Sequence, residues 1–197
     1  MEKIMFNDRY ELTAAVLERK KTMTRRVMNP QPDRFEGSVP IGIDVNYFGI
    51  SRPINPKYTV GEIVAVAQSY GKIGYSSTQP IPNVNRDYDW AEDTAGWNNK
   101  MFVRAELMPH QIRITSVRAE RLQDISEEDC LKEGINIGSE PIRKGGHFYY
   151  FDDDMKDERI CFDTPREAFS ALIDKISGKG TCESNPWVWV YEFELIK

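Results

Sequence analysis

Read for the spacing of its apolar positions, the chain predicts few helices and many short strands. Residues 8 to 20 read as a first helix. Asp8 is placed to cap it, and Leu12, Ala15, Val16 and Arg19 share a face at three- and four-residue steps. The alternating, branched residues 22–27 predict a turn leading into a strand. Ile63, Val64, Ala65, Val66 and Ala67 form an apolar run behind the turn Val60-Gly61-Glu62, the pattern of a buried strand. Two further strands are predicted over residues 100–107 and 110–122, on either side of Met108-Pro109. In the second of these, Ile112 and Ile114 face one way and Arg113, Thr115 and Val117 the other.

Two more helices carry start and stop signals. Ser126, with Asp129 three positions on and Gly134 behind, brackets a short helix. Thr164, followed by Pro165, starts another that runs through Ala168, Leu172 and Ile176 to Gly178. The C-terminal stretch is a strand with Trp187, Trp189, Tyr191, Phe193 and Leu195 on one face, a pattern that favours core over a ligand platform.

Between these elements lie long irregular stretches. Residues 29–58 hold five prolines, with a short strand expected around Ile41–Val45. Residues 71–99 are polar and aromatic, and residues 138–163 are acidic and aromatic, with Gly145-Gly146 marking a hairpin tip. Strands outnumber helices. The expected fold is therefore α+β: a small, partly open β-barrel with two or three short peripheral helices, one domain over residues 1–197 with insertions at about 29–58, 71–99 and 138–163.

Charge adds a local feature. Arg19, Lys20, Lys21, Arg25 and Arg26 fall within eight positions with no acid among them. The chain's net charge is −5 and these five carry +5, so the remainder sums to −10. Such an island points to a place that receives an anion, a carbonyl or a nucleotide. The alternative is a solvated helix end. A pI near 5.2 argues against a general duplex-DNA binder. Three widely spaced cysteines fit a reducing cytosol better than a disulfide framework, and the opening residues carry early acids unlike a secretory signal. The two histidines give no zinc pattern, and Asp152-Asp153-Asp154 lacks calcium-ligand spacing, so neither metal nor cofactor is expected. No apolar run is long enough for a membrane span. Trp90 and Trp97 sit in loops, where aromatics either stack on a base or simply pack. His147 either lines a cleft or sits at a hairpin tip.

Taken together, these segments resemble the ASCH family, a branch of the PUA-like superfamily whose larger members are common in phage and prophage genomes. KKTMTRR at residues 20–26 is similar to its GRKTxTRR signature and VGEIVAV at 60–66 to its PGDxLxV strand. RLQDISEEDCLKEGI at 121–135 is similar to RLQDISEEDAxAEGI, and NPWVWVYEFE at 185–194 to NPWVWVxEFE. The similarity runs from residue 4 to residue 196 and is weakest over 29–58 and 71–99. One departure is Arg19, where the family has glycine, so the first helix is expected to end without a left-handed glycine.

The resemblance implies a PUA-like barrel whose cleft accepts a modified nucleoside or a short RNA. It also implies an activity, because small bacterial members are amidohydrolases that remove the acetyl group from N4-acetylcytidine. Their catalytic Lys, Thr and Glu correspond to Lys21, Thr24 and Glu133. Lys20, Thr22, Arg25, Arg26, Trp90 and Trp97 are then candidates for substrate binding.

The residue types suit amide hydrolysis. Thr24 is inert unless a base stands beside it, and Lys21 is a base only if its pKa is lowered, as neighbouring cations would do. Glu133 would push Lys21 the other way but can pass a proton to the departing amine, while Arg25 or Arg26 could hold an oxyanion or a phosphate. In a straight strand Lys21 and Thr24 would face opposite ways, so this chemistry needs a bend near Thr22. In the plainer reading Lys21 and Glu133 are solvated. Binding without turnover and a protein-contact module remain as alternatives, the latter expected to show an exposed apolar patch and a filled cleft.

Overall fold

The computed structural model describes residues 1–44, 49–74, 95–138, 147–154 and 160–197. In chain order its elements are β1 (Lys3–Ile4), α1 (Leu12–Leu17), β2 (Met23–Val27), β3 (Arg34–Glu36), β4 (Val39–Asp44), β5 (Ile50–Pro53), β6 (Ile63–Val66), β7 (Gln111–Arg121), α2 (Glu127–Lys132), β8 (Asn136–Ile137), β9 (Tyr149–Tyr150), α3 (Pro165–Ser177), α4 (Thr181–Ser184) and β10 (Trp187–Leu195).

The main sheet has five strands in the order β1-β6-β7-β10-β2. β1 runs parallel to β6, and the other neighbours are antiparallel. β7 and β10 form its spine, in register from Trp187 opposite Arg121 to Leu195 opposite Ile112, with a shift between Glu192 and Phe193. Edge strands β1 and β2 share no ladder among the described residues. The fold is thus mixed α+β with several sheets, few short helices and no closed barrel among those residues. The two edges are linked instead by a side chain, the Arg26 guanidinium donating to the Met5 carbonyl at 2.6 Å.

Alternation decides the core. Val64, Val66, Ile112, Ile114, Val188 and Val190 are fully buried, and Leu12 and Val16 of α1 and Ala168, Phe169, Leu172 and Ile173 of α3 close over them. Because Leu172 is buried in this cluster, Leu172→Ala would cost roughly 2–5 kcal/mol. Ala65 and Ala67 point the other way from β6, into a smaller cluster with Tyr70, Val103, Ala105 and Met108.

The two well-signalled helices form as expected. The Ser126 hydroxyl accepts from the Asp129 amide, Thr164 accepts from Glu167, and Pro165 is the first residue of α3. Elsewhere tertiary contacts override the pattern. Helix α1 spans only residues 12–17, bounded by the left-handed residues Glu11 and Arg19, and the Asp8 carboxylate accepts from Thr13 and Lys100 instead of capping it. Residues 100–107 are two 3-10 turns, not a strand. Asn99 caps the first by accepting from the Met101 amide, and the consecutive Met101 and Phe102 are both exposed, which a half-buried strand would not allow. Residues 29–58 hold an antiparallel three-stranded sheet, β3-β4-β5, that the prolines concealed. On β10 it is Val188 and Val190 that are fully buried, while Trp187 and Trp189 are half-buried. Trp187 lies against Phe35, ring centres 4.3 Å apart, and under the Arg121 guanidinium at 4.6 Å. β10 lies between β7 and β2, and both of its alternating sets are buried or half-buried from Trp187 to Phe193, so neither face reads as solvent there. The expected hairpin tip at Gly145-Gly146 and the loop aromatic Trp90 lie outside the described residues. Among those described, no helix is long and apolar enough to cross a membrane.

Candidate functional site

A cleft of about 590 Å³ opens where the two sheet edges face each other. Met5, Phe6 and Asn7 follow β1 on one side, β2 and the residues after it form the other, and Phe169, Leu172, Ile173 and Ile176 of α3 give an apolar wall. Lys21, Thr24, Arg25, Arg26 and Glu133 all line it.

Lys21 is carried there by the end of α1. Arg19 takes a left-handed conformation at φ 61°, and the amides of Lys20 and Lys21 both donate to the Ala15 carbonyl at 2.9 Å. The chain therefore keeps the left-handed helix stop without the glycine. Residues 20–22 are then held from two sides. The Thr22 amide donates to the carbonyl of Lys132 at the end of α2, and the Thr22 carbonyl accepts from the Phe193 amide. Regular strand begins only at Met23, so Lys21 is not bound to the alternation of β2.

The Lys21 ammonium donates to the Glu133 carbonyl at 2.6 Å and to its carboxylate at 2.7 Å. Both side chains are buried, 2% and 6% exposed, so the pair is shielded from solvent and from salt. Gly134, at φ 100°, makes the turn behind α2. A Cβ there would stand 3.1 Å from Leu12 and 3.6 Å from the Lys21 stem, so the glycine also provides room. Burial holds the Lys21 pKa below the ordinary lysine value, against the opposing pull of Glu133. An ammonium has three donors and Glu133 takes two, so one remains for the cleft.

Arg25 holds the other Glu133 oxygen at 3.1 Å. Its remaining donors go to Glu120 at 2.6 and 2.9 Å, to Asp129 at 3.1 Å and to the Met23 sulfur. Burial opposes the Arg25 charge, but Glu133 and Glu120 outweigh it and raise its pKa. Arg118 extends the network to Glu120, Asp129 and Glu192. Arg25 is thus committed to protein acceptors and positions Glu133; it is not free to hold a substrate group.

Thr24 lies one step along the strand, on the opposite side of β2 from Arg25, and the cleft reaches both sides of this edge strand. It is 6% exposed, and its hydroxyl has no hydrogen-bond partner among the described residues. Nearby Cys130 is no rival nucleophile, because burial pushes its thiol up to about 12.

The sequence-level island is therefore not one basic surface. Lys20 turns to solvent and pairs with Glu18 at 2.6 Å, Lys21 and Arg25 are buried against acids from distant segments, and Arg26 meets the cleft with no carboxylate partner among the described residues. Lys20 and Thr22 do not line the cleft, and Trp97 packs on the small cluster around Tyr70. Sequence reading missed Glu120, Asp129 and Arg118. Their signal was the spacing of Arg118 and Glu120, which puts opposite charges on one face of a strand. The α3 wall had no signal beyond its core pattern. Among the described residues no group of His, Cys, Asp and Glu is placed to hold a metal.

A scan against protein-family models matches no part of this chain, and searches of curated proteins and of solved structures return no match.

Proposed function

We propose that this chain is a PUA-like protein of the ASCH type that receives a modified nucleobase in the cleft and hydrolyses its acyl amide. The support is the convergence of a buried Lys21–Glu133 pair and an unpartnered Thr24 hydroxyl on one cleft, from two segments 112 residues apart in sequence. In this reading Thr24 Oγ1 attacks the amide carbonyl and its proton passes to the neutral Lys21 amine. The proton is then delivered to the exocyclic nitrogen as the carbon–nitrogen bond breaks, and water hydrolyses the threonyl ester. Burial favours the neutral Lys21 that this requires. Glu133, held by Arg25, keeps Lys21 oriented and supplies the return path for the proton. The apolar α3 wall suits a planar base and excludes water from one side.

The net charge favours a nucleoside-sized ligand or a short RNA over a long polyanion. A protein-contact module would be expected to have a filled cleft, whereas among the described residues none fills this one.

The test is incubation with a panel of N4-acylated cytidines and mass detection of the free base, with wild type and Lys21→Ala side by side. Turnover by wild type and its loss in the variant are expected. Absence of turnover with every acyl group would reject the hydrolase reading and leave binding, which isothermal titration of the same panel measures.

A further inference from the structure

Among the cations that line the cleft, Arg26 stands apart. Lys21 and Arg25 each lie within ion-pair distance of carboxylates. Among the described residues Arg26 has a single acceptor, the neutral Met5 carbonyl, and its buried Nε has no partner. That one bond links the two sheet edges and fixes the guanidinium in place, 5.9 Å from the Phe6 ring. Its residual positive charge also reaches inward, where it helps to hold the Lys21 ammonium down. A buried N–H without an acceptor and a charge without a counter-ion both cost free energy in the empty protein. Both costs are removed by one event, arrival of a ligand oxygen that carries negative charge. Guanidinium groups present N–H donors in a fork that matches phosphate oxygens.

Position narrows the ligand. Thr24 and Arg26 are two residues apart on one strand, so their side chains leave the same face about 6–7 Å from each other. Thr24 and Arg26 therefore line the same cleft at a separation that one nucleotide can span, with its amide at the first and its anion at the second. We infer that the cleft is built for an anionic, phosphate-bearing nucleotide and that Arg26 is its phosphate receptor. This rests on the nucleobase reading above, because nucleotides carry their negative charge as phosphate.

The experiment measures dissociation constants of N4-acetylcytidine and its 5′-monophosphate by isothermal titration, with inorganic phosphate as a third probe in thermal melts. Wild type at position 26, Arg26→Gln and Arg26→Lys are compared, each also carrying Thr24→Val so that no ligand is hydrolysed during the titration, and Arg26→Lys keeps the charge if the glutamine variant folds poorly. Wild type is expected to prefer the monophosphate by about tenfold or more, a preference that shrinks with added salt. It should vanish in Arg26→Gln and persist in part in Arg26→Lys. Equal affinity for nucleoside and nucleotide, or a preference that survives Arg26→Gln, overturns the inference. If neither nucleoside form binds but inorganic phosphate raises the melting temperature of wild type and not of Arg26→Gln, the anion subsite stands and the nucleobase reading fails. If phosphate has no effect either, both fall.

Discussion

Among the described residues the trio lysine, carboxylate and threonine occurs at two places: at the cleft as Lys21, Glu133 and Thr24, and ahead of α1 as Lys100, Asp8 and Thr13. Each lysine donates to a backbone carbonyl and to a carboxylate, Lys21 to Glu133 and Lys100 to Phe6 and Asp8. Burial lowers the pKa of both, against the pull of the partner acid. The threonines differ. Thr13 donates to Asp8 and accepts from Lys100 at 3.2 Å, so its hydroxyl is fully engaged in tying α1 to the chain before it. Thr24 has no such partner and faces a cleft of about 590 Å³. The carboxylates differ as well. Asp8 is shared between Lys100, Thr13 and, at 3.4 Å, Lys72, whereas Glu133 is clamped by two buried cations. The same three residue types thus make a closed structural knot in one place and an open, poised group in the other. What separates them is whether the hydroxyl is already satisfied.

Removing the lysines should part the two groups most clearly. Lys21→Met leaves Glu133 buried with one cation fewer, and should cost about 3 kcal/mol in urea unfolding and lower turnover by about 100- to 10,000-fold. Lys100→Met should cost about 1–3 kcal/mol, because Asp8 is only partly buried and keeps Thr13 and Lys72, with turnover unchanged. Equal loss of turnover in both would erase the distinction.

The threonines invert the pattern. Thr24→Val should abolish turnover with a stability change below about 1 kcal/mol, since no hydrogen bond is lost. Thr13→Val should leave turnover intact and cost about 1–2 kcal/mol in the same unfolding assay, since a hydroxyl that serves both Asp8 and Lys100 is removed.

Protonation sharpens the contrast further. If neutral Lys21 is the base, kcat/KM rises with pH along a limb whose midpoint lies below 10.5, and Lys100→Met leaves that limb in place. The same lowered pKa means that the unfolded chain binds more protons than the folded one between Lys21's shifted value and 10.5. Its contribution to stability therefore grows as pH rises through that window and is smallest below it. A limb unmoved from the ordinary lysine range would exclude Lys21 as the base.

The smallest effect tests how Lys21 is delivered. Arg19 occupies a left-handed conformation that glycine adopts without strain. Arg19→Gly should raise stability by about 0.5–1 kcal/mol and leave turnover unaffected; a loss would show that the arginine side chain supports the turn.

Much of this arrangement was legible in the chain. Ser126 and Thr164 capped where their signals stood, Gly134 and Gly178 ended their helices, and the alternation of Ile112 and Ile114 marked β7. These are local devices, decided by atoms a few residues apart. Lys100 is the opposite case. Nothing adjacent to it signals a bond to Asp8, ninety-two residues away in sequence, yet that bond takes up the carboxylate expected to cap the first helix. The island at 19–26 misled for the same reason. Its charges cluster along the chain, but a left-handed turn and strand alternation send Lys20 to solvent, Lys21 and Arg25 into the interior and Arg26 to the cleft wall.

By itself the sequence determined many of the turns, caps and alternating stretches, because hydrogen-bond capping and periodicity are short-range, while Lys21, Thr24 and Glu133 entered as candidates through the motif resemblance. Only the tertiary structure decided that Glu133 meets Lys21 at 2.7 Å, that Arg25 is spent on Glu133, Glu120 and Asp129, and that Arg26 is left with a buried, unmatched donor. Charge pairing in a low-dielectric interior depends on which segments fold against one another, and no spacing along the chain encodes that.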